Sequence, residues 1–133
     1  MIKFLLFILP LNCFAIESIY STKLWDAIAH VESGCGKYLV GDDGRSLGMY
    51  QVQLTTARQY GFTGTKKQLK NPTVNFVYAF AYLSDMYRKN DGNLYSALRS
   101  YNAGLGHTKR GKSYRNNVYV RKVLKAISEG RRC

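Results

Sequence analysis

Residues 31 to 53 read Val31-Glu32-Ser33-Gly34-Cys35-Gly36-Lys37-Tyr38-Leu39-Val40-Gly41-Asp42-Asp43-Gly44-Arg45-Ser46-Leu47-Gly48-Met49-Tyr50-Gln51-Val52-Gln53. A carboxylic acid closes an apolar run here, and a glycine-studded turn leads to a short apolar segment carrying one glutamine. Upstream, Leu24, Ala27, Ile28 and Val31 recur at 3, 4 and 7 residues, the face of a helix that begins near Ser21 or Thr22. Glu32 stands four residues after Ile28 and eight after Leu24, on or beside that apolar stripe. Gly34 is able to take the left-handed conformation that ends a helix. A carboxyl so placed has apolar neighbours and the negative end of a helix dipole beside it, and both hold its proton more tightly than water does. A general acid working near neutral pH needs that setting. The alternative is a surface glutamate whose helix frays at the glycine.

Working outward, Lys37 to Val40 and Gly48 to Val52 read as two short strands of a hairpin or small irregular lobe, joined by the turn Asp42-Asp43-Gly44. Thr55 or Thr56 caps a short helix through Tyr60, which Gly61 stops. Residues 62 to 70 form a basic connector. Asn71-Pro72 then supplies a cap and a first-turn proline for the longest helix, running to about Lys89. Val74, Phe76, Val77, Ala79, Phe80, Ala81, Leu83 and Met86 cover most of its circumference, so it is expected to be buried and central. Asn90-Asp91-Gly92 breaks the chain before a helix over residues 93 to 101, whose apolar face is Leu94, Ala97, Leu98 and Tyr101. A glycine-rich loop over residues 102 to 112 precedes a final helix capped by Ser113, with Tyr119, Val120, Val123, Leu124 and Ile127 as its inner stripe. The expected fold is α+β, mainly α: about five helices around a buried central helix, with a small irregular β-hairpin lobe.

The chain has 133 residues, enough for one domain. Lys3, the apolar run from Phe4 to Leu11 and the small-x-small triplet Cys13-Phe14-Ala15 read as an export signal over residues 1 to 15, leaving a domain over residues 16 to 133. The apolar run is too short to span a membrane, and stable membrane insertion is not expected after cleavage. Lipidation at Cys13 is the alternative. With Cys13 removed, Cys35 and Cys133 form an even pair in an exported protein, which points to a disulfide rather than two free thiols. Closing so long a loop stabilises by on the order of 4 kcal/mol in the loop-entropy model. The net charge of +12 calls for an anionic partner, and export sets nucleic acid aside in favour of cell wall or acidic lipid.

Three segments carry a resemblance: Glu32-Ser33-Gly34, then Ser46-Leu47-Gly48-Met49-Tyr50-Gln51-Val52, then Ser100-Tyr101-Asn102-Ala103-Gly104. In order and spacing they resemble the Glu-Ser, Gly-Leu-Met-Gln and Ala-Tyr-Asn-Ala-Gly motifs of the lysozyme-like lytic transglycosylase family. Three ordered motifs over about 70 residues make a specific signal, where a lone Glu-Ser is noise. The chain departs from the pattern at Met49-Tyr50, where the family usually has Leu-Met, and at Ser100, where it has Ala. The first departure alters a residue expected to line the sugar cleft.

The resemblance implies an exported, periplasmic or extracellular enzyme that cleaves the MurNAc-GlcNAc β-1,4 bond of peptidoglycan without a cofactor. Glu32 would act as general acid and then base, and the muramic acid's own 6-hydroxyl would attack its anomeric carbon to leave a 1,6-anhydro end. It further implies that Gln51 bonds the sugar or holds the acid, that Ser46 helps bind an N-acetyl group or a developing charge, and that Tyr101 orients acid or substrate. Met49, Tyr50 and Asn102 complete the expected substrate-binding set. Plainer roles stand beside these: turn capping for Ser46, a core position for Tyr101 and a helix end for Asn102.

Alternation along residues 48 to 52 would point Tyr50 and Gln51 to opposite sides. Asp42 and Asp43, in a turn open to water, are weak candidates for a second carboxylate, and that shortage of acids fits transglycosylation better than hydrolysis. A hydrolytic muramidase is the nearest rival, and a non-catalytic wall-binding assembly module is the rival from another class. A membrane-damaging peptide would need an exposed cationic amphipathic helix, whereas the longest helix here reads as core. Trp25 reads as packing. His30 and His107 are too isolated for a metal site, so none is expected. The glycan strand is the expected partner, with the setting open between wall turnover, a secretion or conjugation machine and a phage.

Overall fold

The computed structural model of the protein describes residues 18 to 104 and 114 to 133. The expected export signal, His107 and the expected Ser113 cap lie outside the described residues. Helix α1 spans Thr22–Ser33, and Gly34 ends it at φ 59°, ψ 46°, as the glycine at that position led one to expect. Leu24, Ala27 and Ile28 are fully enclosed. The helix has a second inward edge, because Trp25 is buried too: its Nε1 donates to the Ile19 carbonyl at 2.8 Å, and its ring meets Phe76 edge-on at 5.1 Å.

The expected hairpin is a three-stranded antiparallel sheet in the order β1 (Val40–Gly41), β2 (Ser46–Leu47), β3 (Val52–Gln53). Asp42-Asp43-Gly44 forms a 3-10 turn between β1 and β2, with both aspartates at positive φ. Residues 48 to 51 are a turn rather than a strand, and Gln51 sits there at φ 52°. The expected alternation of Tyr50 and Gln51 therefore does not apply. A buried side chain explains the turn. Asn75 donates to the carbonyls of Leu47 and Leu69 at 2.8 and 2.9 Å and accepts from the Tyr50 N–H at 2.8 Å. Gly48 lies flat against it, and a β-carbon there would fall 2.4 Å from Asn75 Nδ2.

Helix α2 covers Leu54–Gln59, and α3, Lys66–Leu69, lies inside the stretch expected to be a connector. Thr65 and Gln68 close a capping box around α3. Asn71 and Pro72 open α4, Pro72–Lys89, with Asn71 accepting from the N–H groups of Thr73 and Val74. Its burial is confined to one stripe, Asn75, Ala79, Leu83 and Met86, while Val77 is 53% exposed. Helix α5 spans Leu94–Ala103 under an Asn93 cap, and α6 spans Tyr114–Ser128. On α6 the inner stripe is Tyr119, Val120, Val123 and Ala126; Leu124 points outward, 46% exposed. The packing runs α1 on α6, α6 on α5 and α5 on α4, with the sheet against α2 and α4. The result is a mainly α domain with a small sheet.

Cys35 and Cys133 form a disulfide, with their α-carbons 5.3 Å apart. It ties the C-terminal tail to the turn that follows α1, beside Glu32.

Candidate active site

Ser33 fixes the end of α1. Its hydroxyl donates to the Met49 carbonyl at 2.7 Å and accepts from the Gly36 N–H at 2.8 Å, so the helix end and the turn before β3 are locked together. Glu32, one residue earlier, therefore holds a set position at the wall of a cleft of about 320 Å³ between the helices and the sheet. Ser46, Gln51, Tyr101 and Asn102 line the same cleft, together with Asp42 from the turn before β2 and Tyr82 from α4.

Burial raises the Glu32 carboxyl from its ordinary 4.5 to about 7; Tyr119 opposes the rise and the negative charge of Asp42 adds to it. The Tyr119 hydroxyl is enclosed and has no hydrogen-bond partner of normal geometry among the described residues, yet it lies close enough to Glu32 to act on its carboxyl. Tyr101 is buried, and its hydroxyl donates to the Tyr50 carbonyl at 2.8 Å. Burial first, and then the Glu32 charge, push its phenol well above 10, so it stays a neutral donor. Tyr82 stacks obliquely on Tyr101 at 5.3 Å and donates to the Ser100 carbonyl at 3.1 Å, stiffening this wall.

Gln51 bonds its own lobe. Its Nε2 donates to the Gly48 carbonyl at 3.0 Å and to that of Tyr38 at 3.4 Å. Gly41 leaves the room this needs, since a β-carbon there would sit 2.2 Å from Gln51 Oε1. Ser46 is buried and donates to Asp42 Oδ2.

Two expected site residues fall elsewhere. The Tyr50 ring packs edge-on to Trp25 at 5.4 Å and against Phe76, on a separate aromatic surface; its backbone faces Tyr101 and Asn75. Met49 reaches the site through its carbonyl on Ser33, with its side chain beside Gly36. The turn over residues 48 to 51 sets their directions in place of the strand alternation expected there.

Sequence reasoning missed Tyr82, Asn75 and Tyr119 and underweighted Asp42. Tyr119 sits on the predicted inner stripe of α6 and reads as core. Asn75, a polar residue amid the apolar positions of α4, was the one visible sign.

A mainly α domain with a small sheet, and a proton-retaining glutamate at a helix end facing a cleft between them, define a lysozyme-like protein. The family model of the transglycosylase SLT domain matches residues 18–123, and the chain belongs to that family. No curated protein and no solved structure matches it. The family supports an activity of the peptidoglycan lytic transglycosylase type, with peptidoglycan as substrate.

Proposed function

We propose that the protein is an exported lytic transglycosylase that cuts the MurNAc-GlcNAc β-1,4 bond with Glu32 as its single acid and base. The supporting observation is the Glu32 carboxyl at the cleft, its proton retained up to about 7. Glu32 gives that proton to the glycosidic oxygen as the C–O bond breaks and positive charge builds on the muramic ring. The ring's 6-hydroxyl then bonds to the anomeric carbon, and its proton goes to the Glu32 carboxylate. One glycosidic bond is exchanged for a 1,6-anhydro bridge, and the acid is restored without water. Ser46, Gln51, Tyr101 and Asn102 line the same cleft, which supports giving them the glycan contacts.

Export through residues 1 to 15 would deliver the enzyme to the periplasm or cell surface, where its positive charge draws it to the acidic wall polymer. Among the described residues no helix is long and apolar enough to cross a membrane. The test is digestion of purified peptidoglycan followed by mass spectrometry. Anhydro-muropeptides are expected. Reducing ends would make the protein a muramidase, and intact wall with retained protein would make it a binding module.

A further inference from the structure

We infer that Asp42 is a second catalytic group: it lines the cleft that Glu32 lines, and its carboxylate stabilises the positive charge that develops on the sugar ring. The inference rests on the proposed glycan cleavage.

Among the described residues only Asp85 and Glu129 form ion pairs; Asp26, Glu32, Asp42, Asp43 and Asp91 form none, and what sets Asp42 apart from the other aspartates is its place in the cleft with Glu32. Asp85 is paired with Lys89 and Arg88, and Glu129 with Lys125 and Arg131. Asp42 has no such cation among the described residues. Its neighbour Arg45 places its Nε on the Asp42 backbone carbonyl at 3.0 Å rather than on the side chain. The Asp42 carboxylate instead accepts from the buried Ser46 hydroxyl, a neutral donor that orients it and leaves its charge intact. In a chain of net charge +12, a carboxylate that no cation among the described residues pairs with, in the cleft that holds Glu32, is an arrangement with a chemical use.

The backbone is bent to place it there. Asp42 and Asp43 take φ 49° and 57°, which aspartate tolerates better than most side chains. Asp42 is exposed in the free protein; bond cleavage turns a neutral acetal into a ring with oxocarbenium character, and a fixed anion lining the cleft acts on that charge only as it develops. Asp42 forms no bond and takes no proton: the Glu32 proton goes to the leaving oxygen, and the 6-hydroxyl proton returns to Glu32. Its charge also bears on the acid, adding to the rise that burial produces there. Among the described residues, the titratable groups facing Glu32 are Asp42 from the turn, Tyr101 from α5 and Tyr119 from α6, and the two phenols stay neutral.

The experiment compares parent, Asp42→Asn, Asp43→Asn and Glu32→Gln in peptidoglycan cleavage across pH, with thermal unfolding of each. Asp42→Asn keeps the shape and the tolerance for positive φ but loses the charge. The expected result is kcat lower by about 10- to 100-fold with KM within about twofold, and a basic limb moved to lower pH because Glu32 loses an anion that helped hold its proton. Asp43→Asn should match the parent. If Asp42→Asn lowers the melting point, Ser46→Ala serves as the second variant; it leaves the charge in place but unoriented and should lower kcat by a few-fold. Either a kcat for Asp42→Asn within twofold of the parent or an unmoved basic limb overturns the inference. Activity retained by Glu32→Gln would instead overturn the proposed function itself, so the two failures are distinct.

Discussion

Glu32 and Asp85 are both carboxylic acids toward the C-terminal ends of helices, and the protein treats them in opposite ways. Asp85, on α4, receives Lys89 at 2.8 Å, the Tyr60 hydroxyl at 2.8 Å and Arg88 at 2.6 Å, and these hold it down to about 2. Glu32, on α1, faces phenols and another carboxylate, and its proton is kept to about 7. Both lie where a helix dipole disfavours negative charge, so the dipole does not separate them. Donors do. Where two cations converge, a carboxylate becomes a fixed anion that ties elements together; where burial acts and no cation among the described residues is paired with it, it becomes a reservoir for one proton.

The harshest test of that contrast is Glu32→Gln, which keeps the shape and removes the proton. Cleavage of peptidoglycan should fall at least about 1,000-fold, because protonation of the leaving oxygen has no substitute. Parent-like lysis by this variant would remove Glu32 from the chemistry. The same acid sets a pH profile: cleavage should decline as pH rises through about 7, the point at which Glu32 gives up its proton before substrate arrives. A profile flat to pH 9 would mean that some other group supplies the proton.

Next in size is the scaffold behind Glu32. Asn75→Ala would strip three backbone groups of their partners, the Leu47 and Leu69 carbonyls and the Tyr50 N–H. A loss of about 2 to 4 kcal/mol in chemical denaturation is expected, with activity falling as the Ser33–Met49 lock loosens. An equivalent change on the Asp85 side, Tyr60→Phe, removes one bond to a partly exposed carboxylate and should cost far less.

How these two acids would be used was unequally legible in the sequence. The helix ending at Gly34 followed from apolar spacing and one glycine, and Glu32 with it, because both are local. Asn71-Pro72 announced the start of α4 for the same reason. The number and bounds of the strands were misjudged because they are two residues long and their turn is set by Asn75, a contact 28 residues away from Leu47. Helix α3 was legible and overlooked: Thr65 and Gln68 stand at capping-box spacing, but four residues are too few to show periodicity. Tyr119 and Tyr82 could not be assigned, since a tyrosine on an apolar stripe looks the same whether its hydroxyl lies near the Glu32 carboxyl or on a backbone carbonyl.

A stability measurement separates the two acids by sign. Glu32 unfolds into water where its pKa is 4.5, so between that value and about 7 the folded state holds a proton that the unfolded state has released. Stability linked to Glu32 therefore declines across that window as pH rises, and Glu32→Gln should be more stable than the parent at pH 8, by on the order of 1 to 3 kcal/mol. No gain at pH 8 would mean that the carboxylate is solvated and the cleft wetter than its lining suggests.

Asp85 runs the other way and gives the smallest effect. Its carboxyl is lowered from 3.8 to about 2, so the stability it contributes is present above pH 3.8 and lost as pH falls through about 2. Asp85→Asn should cost about 1 kcal/mol at pH 7, because water and salt around Lys89 and Arg88 screen the pair, and the difference from the parent should shrink in high salt. Glycan cleavage should be unchanged, since the Asp85 carboxylate is not among the groups lining the cleft. If cleavage fell with stability intact, Tyr60 and Asp85 would have to act on the cleft through Tyr82, whose phenol the Asp85 charge already reaches, and the division between a structural and a chemical carboxylate would not hold.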